Sequence, residues 1–258
     1  MCYNLDRKAT MSQIDIVEGF IKSTRVVRTE VDLLLIMEQI TLEIGFHHFA
    51  LISHVDLRLP RKNKIHFDNY PVPWAKHFIT KGLYAHDPIL QASLTSNVGF
   101  AWADVPRMIS ITSRHRAILD DAAKNGLGEG FTVPANIPGE HFGSCSFATK
   151  RGVAAPAANF LFAQLIGAFA YQAARRLKQG SFPLRERPPS LTPRQRDCLL
   201  WAVRGKTDWE IGRILGLKEE TVTEYLNAAR ERYGVTKRLP LAIHAIFDGH
   251  ISFIEALF

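Results

Sequence analysis

Between Asn69 and Trp102 the chain carries Tyr70, Trp74 and Phe78 at four-residue spacing, then Asp87-Pro88, then Trp102. Residues four apart share a helix face, so Trp74 and Phe78 point the same way. Aromatic rings so placed, taken alone, serve an ordinary core more often than a ligand. Asp87 shifts the balance, because a carboxylate among aromatic side chains is costly to bury unless a donor meets it. That donor is either a ligand N–H or the first backbone N–H groups of a following helix opened by Pro88. The residues alone leave both open. Such a set can hold a small organic molecule by apolar contact and a few hydrogen bonds.

A second set lies in residues 191–238. Val222, Leu226, Ala229 and Tyr233 recur at core spacing along a helix expected over 219–233. The opposite face carries Thr223, Glu224, Asn227, Arg230 and Glu231, which can hydrogen-bond to base edges or phosphates. Thr223 and Asn227, one turn apart, are the candidate base readers. Lys206, Thr207, Arg230 and Lys237 are candidate phosphate contacts, which position a helix without reading sequence. Glu224 fits such a surface only by accepting from a cytosine amino group, since phosphates repel it.

Capping signals delimit the helices that must hold this second set. Thr192 can cap a first helix with Pro193 at its opening position and Gln195 reaching back. Thr207-Asp208-Trp209-Glu210 opens a second helix just after Gly205, and Gly216 turns the chain into the third. Lys218 stands where a capping side chain is expected, and a lost cap costs about 0.5–2 kcal/mol. Lys237 and Arg238 open a fourth, apolar helix. The pattern is that of a DNA-reading helix-turn-helix.

Upstream, periodicity predicts helices over 14–25 and 29–44, strands over 49–54 and 65–69, and helices over 73–82 and 113–125. Segments 130–135 and 142–149 form a hairpin around Pro138-Gly139-Glu140, and a long helix over 155–177 is apolar on more than one face. The fold class is therefore α+β. An N-terminal α/β/α sandwich with a central, mainly antiparallel sheet occupies residues 14–177. Residues 178–190, rich in Pro, Gly, Ser and charge, are a linker. A C-terminal four-helix helix-turn-helix domain fills 191–258.

The 258 residues suffice for two modest domains. Of the formal charge of +7, residues 175–189 hold +4 and residues 190–258 only +1. One reading head gains little from counterion release, so useful DNA binding calls for two heads and hence a dimer. Cys2, Cys145 and Cys198 are scattered and odd in number, the usage of a reducing cytoplasm rather than of a disulfide framework. No apolar run reaches a membrane span, and residues 1–13, with Met11 a second possible start, lack a signal-peptide hydrophobic region.

The C-terminal stretch resembles the helix-turn-helix of LuxR-type regulators. It shares the family's Leu191-Thr-Pro-Arg194 opening, Leu199, Gly205-Lys206-Thr207, Glu210-Ile211 and Thr221-Val222. Gln195 stands where the family usually has Glu, and either side chain completes a capping box. The segment from Tyr70 to Trp102, with Gly130 and Ser146, is similar to the autoinducer-binding domain of LuxR-type quorum-sensing receptors. The resemblance implies an acyl-homoserine lactone as ligand. Trp74 would donate to its lactone carbonyl, Asp87 accept its amide N–H, Tyr70 with Ser146 serve its acyl carbonyl, and Trp102 pack on its ring. Phe78 departs from the family's usual Tyr, which alters selectivity rather than binding. The base-reading positions of the family coincide with Thr223 and Asn227.

Other chemistries find no set to carry them. The ten histidines, with His47-His48 and His54 near one strand, lack the close spacing of a zinc site. Gly143-Ser144-Cys145-Ser146 lacks the second Gly of a nucleophile elbow, and Cys145 is expected as a buried small hydrophobe. There is no phosphate-binding glycine loop and no acidic cluster of a phosphorylated receiver. The sequence thus reads as a transcription factor, not an enzyme, without cofactor or metal. It would bind an acyl-homoserine lactone and double-stranded DNA as a homodimer in the cytoplasm, with RNA polymerase as a further partner and no membrane role. The alternative is a LuxR-type solo regulator answering a non-lactone small molecule, or none.

Overall fold

A computed structural model of the chain describes residues 13–58, 64–137, 140–178 and 189–258. The turn expected at Pro138-Gly139, most of the 178–190 linker, Cys2 and Met11 lie outside these residues. The chain divides into two compact units, Met1–Pro183 and Leu184–Phe258.

In the first unit, five antiparallel strands run in the order β2-β1-β5-β4-β3. They are β1 (His48–Ser53), β2 (His66–Asp68), β3 (Phe100–Ala101), β4 (Leu127–Ala135) and β5 (Gly143–Lys150). Side chains alternate faces along each strand, and the register fixes which residues share one. Ala50 pairs with Ser146, and Ser146 with Thr132. Phe49 pairs with Phe147, and Phe147 with Phe131. The face bearing Phe49, Leu51, Phe131, Val133, Cys145 and Phe147 packs into the main core. Helices α1 (Gln13–Val26), α2 (Glu30–Glu43) and α7 (Phe160–Lys178) cover it. Thr29 and Asp32 close a capping box that starts α2. On α7, Ala163, Ala170 and Ala174 are fully buried. A Cβ on Gly167 would lie 2.8 Å from Val133, so small residues let this helix approach the sheet closely.

The other sheet face is roofed by α3 (Val72–Thr80), α4 (Pro88–Ser93) and α6 (Ser113–Lys124), with α5 (Val105–Met108) beside α4. The two-sided layering is the sandwich expected. The short pieces between Leu83 and Met108 were not expected, because β3 and four- to six-residue helices are too short to show a period.

The second unit holds α8 (Pro193–Val203), α9 (Asp208–Leu215), α10 (Glu219–Tyr233) and α11 (Arg238–Phe247) around Leu199, Ile211, Val222, Leu226 and Leu241. Capping boxes at Thr192 and Thr207 start the first two, and Gly216, at φ 67°, ends α9. A fifth helix, α12 (Phe253–Leu257), corrects the expected four. Ser252 caps it, and Arg196 and Arg204 bind Glu255 by side chain and backbone respectively. The Ser252-x-x-Glu255 signal was legible but sits on only five helical residues.

Among the described residues no helix is long and apolar enough to cross a membrane. Lys218 makes no side-chain cap at the start of α10. Lys218→Ser is therefore expected to stabilise this unit by about 1 kcal/mol, removing a cation from the positive end of the helix as well. A chemical denaturation curve of full-length protein checks it; an unchanged midpoint would mean the start of α10 frays whatever its cap.

Candidate ligand pocket and nucleic-acid interface

Tyr70, Trp74, Phe78, Asp87, Trp102 and Ser146 all line one cavity between the second sheet face and its roof. The floor is Ala50, Ile52 and Ser146; the walls include Ile89, Leu90, Ile118 and Leu127, which the sequence reading missed. Its volume is about 50 Å³, whereas pockets that bury a drug-sized ligand hold roughly 300–1,000 Å³. A ligand of that size enters only if the roof gives way.

The floor carries a thread of hydrogen bonds. The Trp102 indole N–H donates to Thr132 Oγ1 at 2.9 Å, which lies 2.8 Å from Ser146 Oγ. The Tyr70 phenol lines the same cavity as Ser146, near enough for that hydroxyl to favour its ionised form slightly. Trp102 thus packs by its ring while its N–H is used internally. Gly130 makes room for that ring, since a Cβ there would come within 2.4 Å of the indole. Thr132 was missed, although strand alternation puts it on the same face as Gly130. Burial, and secondarily the nearby Asp87, push the Tyr70 phenol well above its ordinary range, so it stays a neutral donor.

In the roof, Trp74 is buried with its ring 5.5 Å from Phe78. Phe78 also meets Tyr84 edge-on at 6.3 Å. The Trp74 indole N–H has no hydrogen-bond partner among the described residues. Asp87 does what the helix-cap reading asked: its Oδ1 accepts from Ile89 N at 2.7 Å and Leu90 N at 3.0 Å, opening α4. Its other oxygen accepts from no donor among the described residues. The cap therefore leaves half of the carboxylate facing other chemistry. Burial raises the Asp87 pKa to about 6 against the pull of the two cap bonds.

On α10, Val222, Leu226, Ala229 and Tyr233 are buried, and Glu224, Asn227 and Glu231 are exposed. Arg230 is half-buried and donates to Asn227 Oδ1 and to the Thr236 carbonyl. The Asn227 amide N–H groups point to no partner among the described residues. Thr223 is the exception on this face. Its hydroxyl donates to Asp208 Oδ2 at 2.8 Å, while Arg238 holds Asp208 Oδ1 at 2.9 Å. In this state Thr223 braces α10 against α9. Lys206 pairs with Glu210 at 3.2 Å, Thr207 caps α9, and Lys237 is exposed at the head of α11.

Cys145 is fully buried and burial pushes its thiol far up, as suits a small hydrophobe rather than a nucleophile. Among the described residues no group of three His, Cys, Asp or Glu side chains could hold a metal ion.

Residues 29–176 match the family model of the autoinducer binding domain. Residues 189–245 match that of bacterial regulatory proteins of the luxR family. The chain is 29% identical to the transcriptional activator protein VanR of Vibrio anguillarum over 81% of its length and 86% of that protein's. It is 30% identical to the quorum sensing-dependent regulator RpaR of Rhodopseudomonas palustris, over 71% and 74%. The solved structure of Escherichia coli SdiA superposes with a TM-score of 0.60 at 20% identity, covering 92% of this chain and 98% of that one, a likeness of fold. SdiA has also been solved with octanoyl-rac-glycerol, at the same TM-score. An autoinducer domain fits a ligand rather than a cofactor, and the family regulates transcription rather than catalysing a reaction. The chain belongs to the luxR family of bacterial regulatory proteins, with an autoinducer-binding domain ahead of its DNA-binding helix-turn-helix.

Proposed function

We propose that the protein binds an acyl-homoserine lactone in the Tyr70–Ser146 pocket and regulates promoters as a cytoplasmic homodimer, acting on RNA polymerase. One observation carries the ligand assignment: the cavity is lined by an indole donor, Trp74, and a carboxylate oxygen, on Asp87, that no described residue engages. A lactone carbonyl and an amide N–H are the complementary pair, and the Tyr70 phenol, kept neutral, suits the acyl carbonyl. Phe78 and Trp102 enclose the ring by apolar contact. Exposed Leu161 and Leu165 on α7 supply apolar surface of the kind a second copy covers. Thr223 and Asn227 read bases, with Glu224 beside them, and Lys206, Thr207, Arg230 and Lys237 hold phosphates. Thr223 must then leave Asp208 as DNA docks.

Direct binding of lactones to purified protein tests the whole reading, with octanoyl glycerol as the non-lactone comparison. Asp87→Asn keeps a capping side chain but loses the charged acceptor, worth about 1.5–3 kcal/mol, and is expected to weaken binding at least tenfold. Trp74→Phe is expected to cost about tenfold, roughly 1.4 kcal/mol, with Phe78→Tyr tolerated. A silent Trp74→Phe beside a dead Phe78→Tyr would invert these roles.

The Asp87 pKa fixes the sign of a pH effect. A ligand N–H favours the ionised carboxylate, so affinity is expected to hold above the free value of about 6 and to fall below it. Without ligand the raised pKa means the folded state binds the proton more tightly than the unfolded chain. Stability is then lost as the pH rises from the ordinary 3.8 through about 6. Asp87→Asn should flatten both profiles, as read by calorimetry and by denaturation at several pH values. Equal affinity of the unaltered protein at pH 5 and pH 7.5 would take the carboxylate out of the ligand contact.

For DNA, Asn227→Ala is expected to relax preference at one base of each half-site, and Lys237→Ala to weaken all sequences alike while lowering the salt dependence. Binding to an operator and to scrambled DNA at two salt concentrations separates them. Equal loss on both DNAs for Asn227→Ala would mean this face does not read bases.

A further inference from the structure

The cavity floor does not end in apolar residues. Beyond Ile52, which lines the cavity, the paired residue on β5 is Ser144, and the next residue of β1's face is His54. His54 Nε2 lies 3.0 Å from Ser144 Oγ, and the His54 Nδ1 is buried with no partner. On the far side of β5, Pro134 pairs with Ser144, which places Asn136 at the same end of the same face. Both amide N–H groups of Asn136 are spent on the Ser93 and Ser96 carbonyls, at 3.0 and 3.1 Å. That arrangement fixes the amide's orientation, and its Oδ1 is left buried and unpartnered. Leu90 of α4 packs over Ala50 and Ile52, and the same helix runs from Asp87 to Ser93. The roof thus spans from the cavity to this polar end.

Two unpaired buried polar atoms beside a part-buried Ser–His pair, at the end of the sheet face that floors the cavity, are costly unless something meets them. His54 is held neutral by burial, its pKa lowered to about 4, so the partner need not be an anion. Its free ring nitrogen is a donor or an acceptor according to tautomer, whereas Asn136 Oδ1 only accepts. A hydroxyl satisfies both kinds of demand; a keto group cannot donate to Asn136, and an alkyl end satisfies neither. Ser144 lies about 7 Å along β5 from Ser146, well past the headgroup end. We propose that His54, Ser144 and Asn136 form a distal polar subsite that selects ligands whose acyl chain carries a hydroxyl group in its far half. The subsite rests on the lactone reading above and deepens it.

The test measures dissociation constants of the full-length protein for straight-chain acyl-homoserine lactones of increasing length and for their terminal-hydroxyl counterparts. At the matching length the hydroxylated chain is expected to bind at least about fivefold tighter, the worth of one neutral hydrogen bond. His54→Leu, of similar bulk, should abolish or reverse that preference while leaving plain chains bound as before. Ser144→Ala, a smaller change that keeps the ring but frees its orientation, should reduce the preference severalfold and serves should His54→Leu fail to fold. Equal affinity for plain and hydroxylated chains at every length overturns the subsite and leaves the lactone reading standing. So does a uniform loss in both series on either substitution, which marks a purely structural pair. Binding of neither series overturns the lactone reading, and the subsite with it.

Discussion

Strand alternation on β1, β4 and β5 is the constraint on which the first unit depends. Because the side-chain period is two, a single register assigns Phe49, Phe131 and Phe147 to one face and Ala50, Thr132 and Ser146 to the other. The first face builds a conventional core against α1, α2 and α7. The second is floored by small and hydroxylated residues, too little bulk to fill the space under the aromatic roof. The roof rings then lean on one another and on the hydrogen-bonded ladder of Trp102, Thr132 and Ser146. A slip of one residue would exchange the faces and destroy core and pocket together.

Asp87 ties the roof to that floor, and its energetics run in two directions. As a cap it starts α4, which carries Ile89 and Leu90 into the pocket wall. As a buried carboxylate it weakens the fold near neutral pH, where burial resists its ionisation. A ligand that donates to its second oxygen and fills apolar space relieves both burdens at once. On the proposed reading, mass action would link ligand concentration to the fraction folded once the roof has opened to admit the ligand.

The elements that were legible in the sequence are those with a period or a cap. The boxes at Thr192 and Thr207, the seam Val222-Leu226-Ala229-Tyr233 and the long strands all appear within a few residues of their expected positions. For Asp87, composition could not separate cap from ligand acceptor. The geometry shows why: one oxygen caps, and the other is not needed for that purpose. Ile118 and Leu127 escaped notice because their place in the pocket depends on roof packing far away in sequence, and Thr132 because its bonds to Trp102 and Ser146 depend on strand pairing. Thr223 was read from its helix face alone, and its bond to Asp208 depends on how α9 meets α10, which no local pattern encodes.

The surface of α10 limits what one DNA-binding unit can do. Glu219, Glu220, Glu224 and Glu231 are exposed along it, and the domain's basic residues barely outnumber its acidic ones. Phosphate neutralisation therefore supplies little affinity, and the acidic groups penalise any docking that does not pair them. Discrimination gains in proportion, because a helix weakly held by the backbone depends on contacts that only the right bases provide. Two such units on one site multiply both effects, so the near-neutral head makes occupancy steeply sensitive to how many units are joined. If the protein works as the homodimer proposed, a signal that controls folding or pairing of the N-terminal units would control DNA occupancy without touching the proposed DNA-reading surface itself.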